Sequence, residues 1–243
     1  MNMIKFFRHI RRTLIQENKI GKYFKYAIGE IILVVIGILI ALQINNWNEQ
    51  RKENIKERDV LEELKQGLES NKSILENRKL QFKEFQAKSK KLIDHLEAKR
   101  TYHDSLDSYF FVPVGNYSFG ISYATFENLK SQGLDIITDK EVRLDLVQLY
   151  EEDYWRLKDQ ETKIANALTN ATLPFTRKHF KLMYKDDAGG LKPNNYNAIL
   201  QNEEFLNLLY ESNYLSYSYY KQSIQSLEAT SKVIEKIENE LKE

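Results

Sequence analysis

Residues 31–42 read IILVVIGILIAL, an aliphatic run without a polar side chain. The next charged residue along the chain is Glu49. A helix rises about 1.5 Å per residue, so about 20 residues cross the ~30 Å hydrocarbon core of a bilayer. Aromatic residues flank the run on both sides, as at the interfaces of membrane-spanning helices: Tyr23, Tyr26 and Trp47. The pattern predicts one transmembrane helix over residues 26–47.

The segment that precedes the run is strongly basic. Residues 1–26 contain seven Lys and Arg residues and one Glu, a net +6, whereas the whole chain carries +1, which leaves −5 for the rest. Because basic flanks remain on the cytoplasmic side, the N-terminus is predicted to be cytoplasmic and residues 48–243 to be exported. Residues 1–25 are expected to form a basic amphipathic cytoplasmic segment whose partner is anionic lipid, not nucleic acid.

Two other structures compete for the apolar run: a buried core helix and a cleaved signal peptide. A core helix with aliphatic side chains on every face would need protein all around it. A signal peptide would end in a small-residue cleavage site, and no such site follows the run. An uncleaved signal anchor is therefore favoured. Within it, Gly37 and Ala41 form a small-xxx-small pair, a candidate contact between two transmembrane helices.

The composition of the chain favours long helices and excludes some chemistry. It has 3 Pro and 9 Gly, and 29% of its residues are charged, which suits helices better than a β-sandwich or barrel. It has no Cys, which excludes disulfides, thiolate catalysis and Cys-ligated metals.

A heptad pattern follows the apolar run. Eight of the eleven positions in its frame are apolar, which predicts a long helix that continues from the transmembrane segment. A buried Asn in such a frame can fix the register of helix packing. The frame consists of Leu61, Leu64, Leu68, Asn71, Leu75, Arg78, Phe82, Phe85, Ser89, Leu92 and Leu96.

Capping and breaker residues predict the elements in the middle of the chain. A short helix over residues 122–132 is expected to end at Gly133. Residues 138–141, TDKE, form a capping box for the next helix, which is expected to end near Pro174. Beyond it, residues 175–184 are expected to form one or two helical turns in a stretch rich in Pro, Gly and Asn.

The last helix is predicted from about residue 195 to the end of the chain, with eight apolar positions of eleven in its frame. Three long amphipathic helices each need a partner. The predicted fold is therefore all-α: one N-terminal transmembrane helix, then an elongated antiparallel bundle of three long helices plus short ones. The frame of the last helix consists of Leu206, Tyr210, Asn213, Tyr217, Tyr220, Ile224, Leu227, Ser231, Ile234, Glu238 and Leu241.

A stripe of tyrosines on the last helix is the candidate interaction surface. It consists of Tyr210, Tyr214, Tyr217 and Tyr220. The spacing is that of a buried seam between helices, which is the favoured interpretation. The alternative is an exposed recognition surface, since Tyr offers contact area and a hydroxyl group at low entropic cost.

No residue pattern predicts a catalytic, cofactor or metal site. None of the four His residues lies in an H-E-x-x-H motif or ends an E-x-x-H motif. One predicted helix end gathers two Asp and two His residues, and a solvated helix terminus is favoured over a metal site there. These residues are Asp94, His95, His103 and Asp104.

Two stretches of the chain resemble a known family. The first begins with GKYFKYAIGE (21–30), continues through the apolar segment and ends with ALQINNWNE (41–49). The second is TFENLKSQG (125–133), together with the Ile pair at 136–137 and residues 144–150. Together they resemble a family of uncharacterised single-pass membrane proteins of Gram-negative bacteria, known as a domain of unknown function. The resemblance supports a membrane location and carries over no functional residues.

The sequence favours a membrane-anchored helical interaction or scaffold protein without catalytic activity. Its expected location is the bacterial inner membrane, with the C-terminal domain in the periplasm. The expected partner is a second copy of the chain or another protein. The alternative is an extracytoplasmic sensory or ligand-binding domain that acts through a partner protein.

Overall fold

A computed structural model describes residues 20–114, 120–185 and 188–242. Helices predominate in these ranges, as predicted, and one two-stranded hairpin interrupts them. Residues 1–19 of the predicted amphipathic segment 1–25 lie outside the described residues. The elements are α1 (Ile20–Glu97), α2 (Asp107–Phe110), α3 (Ala124–Gln132), α4 (Lys140–Gln148), α5 (Tyr154–Ala167), α6 (Leu173–His179), β1 (Phe180–Lys185), β2 (Ala188–Pro193), α7 (Tyr196–Leu200) and α8 (Glu203–Glu240).

The first of two compact units, residues 1–56, contains the apolar part of α1. From Ile31 to Trp47 every side chain is exposed, including the large aliphatic ones. By length and composition, this is the one helix of the described ranges that is apolar enough to cross a membrane. Exposed aliphatic side chains on every face are what a helix surrounded by lipid requires.

The second unit, residues 57–243, contains the heptad part of α1. The predicted frame is confirmed, since nine of its eleven side chains are buried and the other two, Arg78 and Phe85, are partly buried. Asn71 is 0% exposed. Its Nδ2 donates to the carbonyl oxygen of Ser122 at 2.9 Å, and its Oδ1 accepts from the Ser122 N–H at 2.8 Å. The buried Asn therefore holds the segment that enters α3.

The frame predicted for α8 is wrong by one residue. The buried side chains lie one position before the predicted ones along most of the helix, and several are small: Ser216, Ser223, Ser226 and Thr230. The hydroxyl groups of Ser223, Ser226 and Thr230 have partners, for example Thr230 Oγ1, which lies 2.7 Å from the Tyr154 hydroxyl. Large side chains also lie at this seam, both from the opposing helices and from α8 itself. Phe82 of α1 stacks on Tyr219, with ring centroids 5.3 Å apart.

Two predicted helix boundaries agree with the structure only in part. Gly133 ends α3 with φ 108°, a backbone conformation that favours Gly. The N-cap of α4 is Asp139, whose side chain accepts from the Val142 N–H at 2.6 Å, and not Thr138 as the capping box required. Thr138 instead donates its N–H and its hydroxyl to Glu57 Oε1, at 2.5 and 2.8 Å.

The helix after this cap does not end near Pro174. A π-helical segment, Leu149–Asp153, joins α4 to α5, and a second one, Leu168–Thr172, joins α5 to α6. Pro174 lies in the first turn of α6, directly after the second π-helical segment. The lengthened turn accommodates the missing proline N–H, so the chain remains helical to His179.

The all-α prediction missed a β-hairpin, which follows α6. Strands β1 and β2 pair antiparallel, with Phe180 opposite Pro193 and Lys185 opposite Ala188. The glycines of β2 permit its packing, because a Cβ on Gly189 would lie 2.6 Å from the ring of Phe111. The hairpin belongs to a second core, in which the rings of Phe110, Phe175, Phe180 and Phe205 pack together.

The last predicted helix is divided in two. α7 and α8 are separated at Gln201 and Asn202, and an Asn caps each helix. Asn195 Oδ1 accepts from the Ala198 N–H at 3.1 Å, and Asn202 Oδ1 accepts from the Phe205 N–H at 2.8 Å. Both caps agree with the strong preference for Asn at this position.

Candidate functional site

An open groove of about 650 Å³ lies where the last turns of α1 pass the first half of α8. The residues from each helix recur at spacings of three and four, so each helix presents one face to the groove. The groove is lined by Gln86, Lys90, Ile93, Asp94 and Glu97 of α1 and by Tyr210, Asn213, Tyr214 and Tyr217 of α8.

The groove contains three of the four tyrosines of the predicted stripe. Tyr210, Tyr214 and Tyr217 are 44%, 69% and 54% exposed. Tyr220 is partly buried and packs against the Phe82 ring, with centroids 5.9 Å apart. Core packing, the favoured interpretation of the spacing, is therefore wrong for three of the four. The reason is the shifted seam of α8, in which Ser216 and Tyr219 occupy the buried positions.

The two carboxylates of the groove only accept hydrogen bonds, whereas its amides, hydroxyls and ammonium can donate them. The Tyr210 hydroxyl donates a short hydrogen bond to Glu97 Oε1, and this bond raises the pKa of Tyr210. Asn213 Oδ1 is shielded from solvent and has no hydrogen-bond partner in the described residues. A buried acceptor without a partner is unfavourable.

One cation lines the groove. Lys90 Nζ lies 3.5 Å from Asp94 Oδ2, and the two side chains are 76% and 53% exposed. An ion pair this exposed contributes little to stability. Two carboxylates against one ammonium leave the lining with a net charge of −1.

Sequence reasoning missed the α1 side of the groove. Lys90, Asp94 and Glu97 lie on the exposed side of the heptad helix, where charged residues are ordinary. Only the packing of α8 beside them makes this part of α1 one wall of a groove.

Of the two Asp and two His residues at the end of α1, only the histidines meet, with their ring centroids 5.3 Å apart. Asp94 lines the groove, and Asp104 Oδ1 pairs with Lys192 Nζ at 3.5 Å. His95 Nε2 lies 3.1 Å from the Thr101 carbonyl oxygen, and His103 Nδ1 lies 2.5 Å from a serine hydroxyl. Among the described residues, no three His, Cys, Asp or Glu side chains are arranged to hold a metal ion.

A second unusual environment surrounds Glu161 of α5. Burial raises the pKa of this carboxyl to about 7, although the positive charges of Arg78 and Lys158 act in the opposite direction. Burial also raises the pKa of Tyr219, and the negative charge of Glu161 adds to that shift. The pKa of Tyr123 rises to about 12, mainly through burial and then through Glu161. This cluster lies within the packed helices, where it affects stability.

The candidate transmembrane contact lies in the first unit. Gly37 and Ala41 are both exposed on α1, and a Cβ built on Gly37 would meet no atom within 4 Å. The helix surface is therefore open at this pair, and the dimer contact stays a prediction.

Comparison with known proteins identifies a family but no characterised relative. No curated protein and no solved structure matches the chain. A family model matches residues 30–211, which is more than half of the chain and includes the α1 wall of the groove. The chain therefore belongs to DUF6090, a family of unknown function.

Proposed function

We propose that this chain is a membrane-anchored interaction protein whose second unit binds a partner protein through the groove between α1 and α8. The apolar part of α1 serves as an uncleaved signal anchor in the inner membrane of a bacterium. The basic N-terminal segment lies on the cytoplasmic side, and the remainder forms an elongated antiparallel helical bundle in the periplasm. The length and composition of the apolar segment and the basic charge before it support this arrangement.

The exposure of three neighbouring tyrosines in the groove carries the proposal. Tyr210, Tyr214 and Tyr217 are spaced so that their rings line one wall. Tyrosine is enriched at protein–protein interfaces, because its ring buries a large area and its hydroxyl group can still find a partner. Three exposed aromatic rings in one groove favour a binding surface over an ordinary solvated helix face.

A sensory or ligand-binding role is the second candidate, and the volume of the groove favours it. About 650 Å³ lies within the range of small-molecule sites, about 300–1,000 Å³. Such sites enclose most of their ligand, however, whereas this groove is open and has charged rims. We therefore place protein binding first. No catalytic activity and no cofactor are proposed.

Site-specific photocrosslinking in the native membrane tests the proposal. In one variant of the full-length chain, a photoreactive amino acid replaces Tyr214. In a control variant it replaces Trp155, which is 59% exposed and lies on α5 outside the groove. The expected result is one defined protein adduct from position 214 that is missing from position 155. An adduct with a second copy of the chain would identify a homodimer. No adduct at position 214, or the same adducts from both positions, would refute the proposal.

Orientation is tested separately. Protease added to spheroplasts is expected to remove residues beyond 50 and to leave the basic segment protected. Protection of the C-terminal part would reverse the proposed topology.

A further inference from the structure

The groove has a chemical character that selects among partners. We infer that it binds the guanidinium group of an arginine on an exposed basic segment of the partner protein. This inference rests on the proposed function, because it names the chemistry of the partner in the same groove.

The two carboxylates of the groove favour a ligand that donates hydrogen bonds over one that accepts them. The carboxylates of Asp94 and Glu97 accept hydrogen bonds and offer none. A guanidinium group carries five N–H donors and no acceptor, so it can donate to both carboxylates at once.

The tyrosine rings favour the same ligand. The face of an aromatic ring is the negative end of its quadrupole, and an arginine side chain stacks on it more readily than a lysine ammonium does. Tyr214 and Tyr217 are the most exposed rings of the groove, and the Tyr210 hydroxyl is already directed to Glu97. An arginine between the tyrosine wall and the α1 carboxylates would contact both.

The cation in the lining does not oppose this arrangement. The Lys90 side chain is 76% exposed and pairs with Asp94 through a single contact of 3.5 Å. A long exposed lysine reorients at low cost, so an incoming guanidinium can replace it at Asp94. The net charge of −1 on the lining then complements the basic segment.

A glycan strand is the ligand with the most similar requirements, since sugars also stack on aromatic rings and bind carboxylates. A sugar carries no positive charge, however, so it gains neither an ion pair with the carboxylates nor a cation–π contact with the tyrosine rings. The observations therefore favour arginine, and a glycan is an outcome that the experiment separates.

The test uses the full-length chain in nanodiscs of zwitterionic phosphatidylcholine, which avoids attraction of a basic peptide to anionic lipid. The probe is a fluorescent peptide with two arginines spaced by glycines, and binding is followed by anisotropy. The matched control peptide carries citrulline, a neutral isostere of arginine. An oligomer of N-acetylglucosamine is tested as a competitor.

Binding of the arginine peptide is expected to weaken about tenfold or more with citrulline. It is expected to weaken by about five- to tenfold in each of two groove variants, Tyr214→Ala and Glu97→Gln. Trp155→Ala removes an aromatic ring of similar exposure outside the groove and is expected to bind as the unchanged chain does. Circular dichroism of each variant excludes loss of the fold as the cause.

Four results would overturn the inference: no binding of the arginine peptide, equal binding of the citrulline peptide, equal loss with Trp155→Ala, or displacement of the bound arginine peptide by the oligosaccharide. The photocrosslinking experiment keeps the two proposals apart. An adduct at position 214 together with failure of the arginine peptide would overturn the arginine inference alone. The lack of any adduct would overturn the proposed function as well.

Discussion

Replacement of Asn71 by Ala tests how the second unit is held together. The Asn71 side chain is 0% exposed and makes two hydrogen bonds, of 2.9 and 2.8 Å, to the backbone of Ser122. Each bond contributes about 0.5–1.5 kcal/mol, and the deleted amide leaves a cavity in the core. Ser122 is itself exposed, so water can replace part of what its backbone loses. The expected loss is about 2–4 kcal/mol in the free energy of unfolding.

The assay is urea unfolding of the full-length chain in detergent, followed by circular dichroism. Asn71→Asp provides a matched control of nearly the same shape. Its carboxylate keeps an acceptor for the Ser122 N–H and loses the donor to the Ser122 carbonyl oxygen. Burial favours the neutral form, which raises the folded-state pKa of this carboxyl above its unfolded value of about 3.9.

The Asn71→Asp variant should have a lower free energy of unfolding than the unchanged chain, and the full difference should be present above that folded-state pKa. The difference should shrink as the pH falls through the folded-state pKa, because the protonated acid again donates a hydrogen bond. A loss below about 0.5 kcal/mol for Asn71→Ala would show that the two hydrogen bonds do not hold the α3 segment. A deficit of Asn71→Asp that does not change between pH 7 and pH 4 would refute the assignment of the donor.

Three further predictions concern the same unfolding assay. Burial raises the pKa of Glu161 from 4.5 to about 7, so the unchanged chain loses stability as the pH rises from 4.5 to 7. Glu161→Gln removes this loss and should therefore stabilise the chain above pH 7. The gain in the free energy of unfolding is at most ~3 kcal/mol, and partial exposure of Glu161 reduces it to about 1–2 kcal/mol. The gain should vanish below pH 4.5, and a gain that persists there would contradict the raised pKa. Ser226→Leu should lower the free energy of unfolding by about 1–3 kcal/mol, because residue 226 is 0% exposed. Tyr214→Ala should change it by less than about 0.5 kcal/mol, because Tyr214 is exposed. Equal effects of the two substitutions would contradict the shifted seam of α8. Gly133→Ala should cost about 1–3 kcal/mol, because φ is 108° at that position, and an unchanged unfolding midpoint would show that α3 tolerates another ending.

The features that the sequence predicted correctly depend on local patterns. The heptad frame of α1 consists mostly of large apolar residues, so its buried face can be identified without knowledge of the partner helices. Gly133 ends α3 because its positive φ excludes most other residues. Asn71 was expected to fix a register between helices, and it instead binds a loop backbone 51 positions along the chain. That partner could not be identified from the periodicity.

The hairpin and the shifted cap show where local patterns fail. Pro174 and the glycines near residue 190 are ordinary breaker signals, and they predicted an end to regular structure. A π-helical turn precedes Pro174, and Gly189 allows a strand to approach Phe111 closely. Glu57 and Thr138 are 81 residues apart, and their hydrogen bonds move the cap of α4 by one position.

The sequence by itself determined the apolar segment, the helical character of the chain and the buried face of α1, because each of these depends on the spacing of residues within one element. Only the tertiary structure decided which face of α8 is buried. Over residues 216–230 the buried face of α8 is mostly Ser and Thr, with Tyr219 among them, and the opposing helices supply rings such as Tyr154 and Phe82. Rotation of α8 onto that seam directs Tyr210, Tyr214 and Tyr217 outward, beside the carboxylates of α1. The physical reason is that packing against neighbouring helices, and not the spacing of tyrosines within α8, fixes which face is buried.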